Sequence, residues 1–141
     1  MQEGLLTIHI LAAALWIGGG VYATLSYRKH AEVGTLRAVM TVDQKMGAIF
    51  GISIGLLLLS GIGLVLNAEQ FSFTHAFVII GIGAIVVSGA VEGAVFGKAA
   101  KQALAGDRDP MPLPAQMRWA LPFYIVLFVV TVWSMVAKLG A

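Results

Sequence analysis

The chain is patterned in long blocks rather than short alternations. Apolar runs cover roughly residues 4–27, 46–66, 75–96 and 117–138, and most polar residues collect in the connections between them. Each run is near the ~20 residues with which a helix crosses the ~30 Å hydrocarbon core of a bilayer. Only helices and closed barrels satisfy their backbone groups in lipid, and no period-two alternation marks barrel strands. The pattern predicts an all-α, integral membrane four-helix bundle, one domain over residues 1–141.

The connections differ in charge. Residues 28–45 hold Arg28, Lys29, Arg37 and Lys45, and residues 97–118 hold Lys98, Lys101, Arg108 and Arg118. The link "NAEQFSFT" (67–74) and the N-terminal tail hold no Lys or Arg, and the C-terminus holds only Lys138. The positive-inside rule then places both long connections in the cytoplasm and both termini outside. The first run has its positive charge after it, which predicts an uncleaved N-out helix rather than a signal peptide. "GDRDPMPLP" (106–114) carries three prolines at alternate positions and predicts an extended surface loop. Pro122 predicts a mild kink early in the fourth helix.

Composition agrees with the pattern. Hydrophobic residues make up 59% of the chain and charged residues 11%, with a mean hydropathy of +0.90, whereas soluble domains carry about 25% charged residues. With no cysteine, disulfides and thiolate metal sites are excluded. There is no nucleotide loop, catalytic triad or carboxylate pair. The expected surroundings are a lipid bilayer, with no nucleic acid partner, and the expected location is the cytoplasmic (inner) membrane of a bacterium.

Glycines recur at four-residue spacing. Gly47, Gly51 and Gly55 form one stripe on the second helix, with Gly63 on the same face; Gly89, Gly93 and Gly97 form another on the third, with Gly81 eight residues before. Residues four apart share a helix face, and small residues there let membrane helices approach closely. The second and third helices are therefore expected to pack tightly against neighbours, with each other as one option. A homodimer or a membrane-protein partner meeting Gly51, Gly55, Gly89 and Gly93 is the alternative use of the same stripes.

Polar groups within a span are costly and are candidates for function. His9, in "HILAAALWIGGG" (9–20), lies about one turn inside the first helix and shares a face with Trp16 and Gly20. Imidazole ligates iron or copper and moves protons; the plainer reading is a neutral histidine hydrogen-bonded to the next helix. His75, at the start of the third helix, is placed at similar depth by the topology, so the two histidines could hold one metal or the two faces of a heme. The plainer reading of His75 is an interfacial residue meeting water, and His30 sits in a solvated basic patch. Glu92 reads as a proton-relay carboxylate or, preferably, as a salt-bridge partner of Arg28, Lys29 or Lys98. Trp119, Tyr124 and Trp133 read as interfacial aromatics.

Across nearly all its length the chain resembles a bacterial family of small predicted integral membrane proteins of unknown function. The resemblance rests on "IHILAAALWIGGG", "GLLLLSGIGLVL" (55–66) and "VVTVWSMVAKLG" (129–140). The helix-one pattern, His followed seven residues later by Trp and then by glycines, also resembles the copper-resistance protein D family and the heme-binding four-helix protoporphyrinogen oxidase family. The latter resemblance implies that His9 ligates heme b. The resemblance does not supply a second ligand; depth makes His75 the candidate, with Trp16, Gly19 and Gly20 beside the porphyrin. Two other expectations stand beside it: a cofactor-free accessory subunit of a larger membrane (respiratory) complex, and copper transport by His9 with some of the six methionines.

Overall fold

A computed structural model describes residues 2–67, 72–106, 108 and 110–137, without the side chain of Ala48. The fold is all-α: α1 (Gln2–Glu32), α2 (Leu36–Asn67), α3 (Ala76–Val91), a π-helical segment (Glu92–Gly97), α4 (Lys98–Ala105), a 3-10 turn (Ala115–Trp119) and α5 (Ala120–Ala137). Among the described residues four helices are long and apolar enough to cross a membrane: Gln2–Glu32, Ile49–Asn67, Ala76–Ala105 and Ala115–Ala137. Part of the 67–74 link and the end expected for the fourth helix at Lys138 lie outside the described residues.

The helices run further than the apolar runs. Residues 28–45 are not a long irregular connection. They are the ends of α1 and α2, joined at Val33–Thr35 where Gly34 takes φ 76°, a left-handed conformation that favours glycine. The third span likewise continues to Ala105. Past it, residues 110–114 form the extended, proline-rich segment that the sequence predicts, and Pro122 falls in the first turn of α5, where its missing N–H is tolerated.

Neighbouring contacts set an up-down-up-down order. Leu5 faces Gly63, His9 meets Leu57 and Gly19 meets Phe50, so α1 and α2 are antiparallel. Gly20 meets Tyr124 and Arg28 donates to the Arg118 carbonyl (2.8 Å), so α1 and α5 are antiparallel too. The basic connections meet at one end, where Arg37 donates to the carbonyls of Leu104, Gly106 and Arg108.

The helices pack in the order α2, α1, α5, α3, and α2 barely touches α3. Among the described residues α2 packs against α1, and the option of tight α2–α3 packing is not realised. Gly47, Gly51, Gly55, Gly81, Gly89 and Gly93 face open space within 4 Å, whereas Gly19, Gly20, Gly61 and Gly63 lie against side chains. Four-residue spacing makes a smooth stripe, but helix rotation decides which stripe is covered.

One core joins Ala12, Trp16, Ile17 and Leu57 to Ala120, Tyr124 and Leu127. A second, at the basic end, joins Leu36, Met40, Ala100, Met111 and Met117. Leu36 and Met40 lie on the part of α2 before the apolar span, where burial from water contributes about 1.5–3 kcal/mol per side chain. Within the spans, buried hydroxyls bond back along their own helix: Thr24 to Gly20, Ser53 to Ile49, Ser88 to Ile85 and Ser134 to Thr131. Leu11, Leu15, Leu59 and Val86 point outward, the surface a lipid environment requires.

Candidate functional site

His9 sits about 10 Å along α1 from Gln2, at 1.5 Å rise per residue. Its Nδ1 is 3.1 Å from the Leu57 carbonyl oxygen and 3.1 Å from Ser60 Oγ on α2. A carbonyl only accepts, so the Leu57 contact requires a proton on Nδ1. Ser60 Oγ spends its own proton on the Leu56 carbonyl (2.6 Å) and can accept from His9. The neutral ring then keeps its lone pair on Nε2, which has no hydrogen bond among the described residues. Gly61 permits the approach: a Cβ there would stand 3.0 Å from His9 Cε1. Sequence spacing missed Gly61, because it lies outside the four-residue stripe and only the docked His9 ring gives it a role.

His9 lines a cavity of about 430 Å³, within the ~300–1,000 Å³ range of small-molecule sites. The cavity lies where α2 and α3 fail to meet. Its walls include Trp16, Leu57, Phe73, Phe77, Ile85 and Met135, and they are overwhelmingly apolar. His75 is not a lining residue, although Phe73 and Phe77 on either side of it are. It caps the start of α3, and its Nδ1 accepts the Ser72 N–H at 2.7 Å. The structure thus brings Trp16, and not His75, to the cavity of His9.

Gly19 and Gly20 do not line that cavity. A Cβ at Gly19 would stand 2.4 Å from Phe50 Cε1, and one at Gly20 would stand 2.4 Å from Tyr124 Cε1. The glycine run makes room for two aromatic rings of the bundle.

The second polar site is Glu92, the first residue of the π-helical segment. Such segments are rare departures from α geometry, often found at functional sites. Glu92 Oε1 accepts from Trp16 Nε1 (3.1 Å) and from the Tyr124 hydroxyl (2.9 Å). The expected salt bridge with Arg28, Lys29 or Lys98 is not formed. Among the described residues the one ion pair is Lys29–Glu32 at 3.3 Å, and Glu92 is held by neutral donors instead. Tyr124, expected at the interface, is 7% exposed and belongs to the core. Trp119 and Trp133 are exposed, as interfacial aromatics are.

Trp16 borders both sites. It lines the cavity of His9 and also a second cavity, of about 260 Å³, that holds Glu92.

No group of three or more His, Cys, Asp or Glu that could hold a metal ion occurs among the described residues. A bare ion would need such a group, whereas an iron carried by a macrocycle asks the protein for only one or two axial ligands. Met40, Met111 and Met117 are buried in the core at the basic end. No known family, curated protein or solved structure matches the chain.

Proposed function

We propose that this multi-pass membrane protein binds heme b through His9, in the bacterial cytoplasmic membrane, with an electron-transfer or heme-handling role. The supporting observation is the way His9 is held. Metal-bound histidines commonly donate their other ring N–H to a carbonyl or carboxylate, which fixes the tautomer and raises ligand basicity. His9 Nδ1 has that partner in the Leu57 carbonyl, and Nε2 is left for an apolar cavity. When bound, heme would supply one-electron chemistry at a potential tuned by the axial ligand and the apolar shell. Trp16 would form one wall. His75 does not line the cavity and would have to move to reach it, so its contribution is expected to be the smaller.

The test is a reduced-minus-oxidised spectrum of protein purified in mild detergent from heme-replete cells. The expected result is a b-type signal that His9→Ala abolishes and His75→Ala weakens. A colourless wild-type protein would contradict the reading.

The open stripes at Gly51, Gly55, Gly89 and Gly93 favour a second reading, an accessory subunit or homodimer that buries them against another membrane helix. For orientation, we infer from the clustered basic residues that their end is cytoplasmic and both termini are outside. A reporter active only in the cytoplasm should be silent after Ala141 and active near Gly106; the reverse pattern would overturn the orientation.

A further inference from the structure

We propose that the Glu92 cavity is a binding site for a small alkylated ammonium ion. Both of Glu92's hydrogen bonds fall on Oε1, so Oε2 has no hydrogen-bond partner among the described residues. No cation of the chain is paired with it there, since the one ion pair is Lys29–Glu32. Carboxyl groups at membrane depth pair with something or mark a ligand pathway.

The cavity around Glu92 has the chemistry of an ammonium site. Asp43, on the part of α2 before the apolar span, lines the same space, as does Tyr27. Trp16, Phe50 and Phe96 supply aromatic walls. Aromatic faces attract alkylated ammonium ions through the ring quadrupole, and carboxylates supply the opposite charge without needing an N–H from the ligand. About 260 Å³ suits a compact cation rather than a drug-sized molecule. Asp43 stands toward the basic end and Glu92 deeper, so the two carboxylates mark a path inward from that end. The cavity is distinct from the one that holds His9, with Trp16 on the border of both.

The probe is tetramethylammonium chloride, added to the full chain in a maltoside detergent, with sodium chloride and potassium chloride at equal ionic strength as controls. The readouts are tryptophan fluorescence, in which Trp16 reports as the buried indole, and the thermal midpoint. The expected result is a saturable response to tetramethylammonium alone. Glu92→Gln should weaken the apparent affinity at least tenfold, Asp43→Asn several-fold, and His9→Ala should leave it unchanged. Should Glu92→Gln fail to fold, Asp43→Asn decides. A response equal in sodium or potassium chloride, a response that does not saturate, or full retention in the variants that fold would overturn the proposal.

Discussion

His9 and Glu92, two half-buried polar groups of the bundle, are held in the same manner and surrounded differently. His9 is fixed through Nδ1 and Glu92 through Oε1, and each leaves its other atom without a hydrogen-bond partner among the described residues. Around His9 the walls are apolar and the space is about 430 Å³; around Glu92 there are a second carboxylate, hydroxyls and aromatic rings in about 260 Å³. A histidine in an apolar space suits a largely apolar, metal-bearing macrocycle. A carboxylate among aromatics suits a cation. The lesson is that a polar residue inside a membrane is read best from the atom its neighbours leave unused.

Gly20→Leu is expected to be the most damaging substitution. The new side chain would collide with the Tyr124 ring, displacing a donor of Glu92 and overpacking the core, a change that typically costs about 1–3 kcal/mol. A clear fall in thermal midpoint in detergent is expected, with loss of any tetramethylammonium response. An unchanged midpoint would show that Tyr124 moves aside freely.

Trp16→Phe separates the two sites. It keeps an aromatic wall for the His9 cavity but removes the indole N–H from Glu92, leaving Oε1 with the Tyr124 donor; losing one such hydrogen bond costs about 0.5–1.5 kcal/mol. Stability should fall and ammonium binding should change, while hemin uptake persists. Equal damage to both sites would mean that they act as one.

The four spans were legible because hydropathy registers the solvent a segment needs. The same signal hid the aqueous ends of α1 and α2: residues 28–45 are polar because they leave the membrane, yet they remain helical around the Gly34 turn. The chemical singularity of His9 was legible too, and so was its face with Trp16. The partners of Glu92 were not. They lie on α1 and α5, at positions 76 residues before and 32 residues after it, and only the rotation of three helices brings them together. An excess of nearby Lys and Arg made a salt bridge the natural expectation, but those side chains belong to the basic end. Glycine spacing likewise displayed smooth stripes without saying which of them another helix would cover.

Gly61→Ala is a finer probe of the His9 side. Its methyl group would press on His9 Cε1 from 3.0 Å, tilting the ring away from the Leu57 carbonyl. Hemin affinity should fall several-fold in a protein that still folds, and ammonium binding should not move. An affinity equal to that of the wild type would show that the Leu57 contact does not position the ring.

The smallest effect is expected from Gly51→Leu and Gly93→Leu, because both positions face open space. Monomer stability should be unchanged within ~0.5 kcal/mol, the usual range for substitutions away from packed features. Loss of a dimer or of a co-purifying subunit in either variant would instead favour the accessory reading of the stripes.

Whether His9 Nε2 ligates heme, as proposed, is decided by a hemin titration of the purified chain. Wild-type protein in maltoside detergent should develop a Soret band that saturates at one hemin per chain, while His9→Ala, folded by circular dichroism, should show only the spectrum of detergent-dissolved hemin. Saturable binding of equal affinity and identical spectrum in both proteins would contradict the claim.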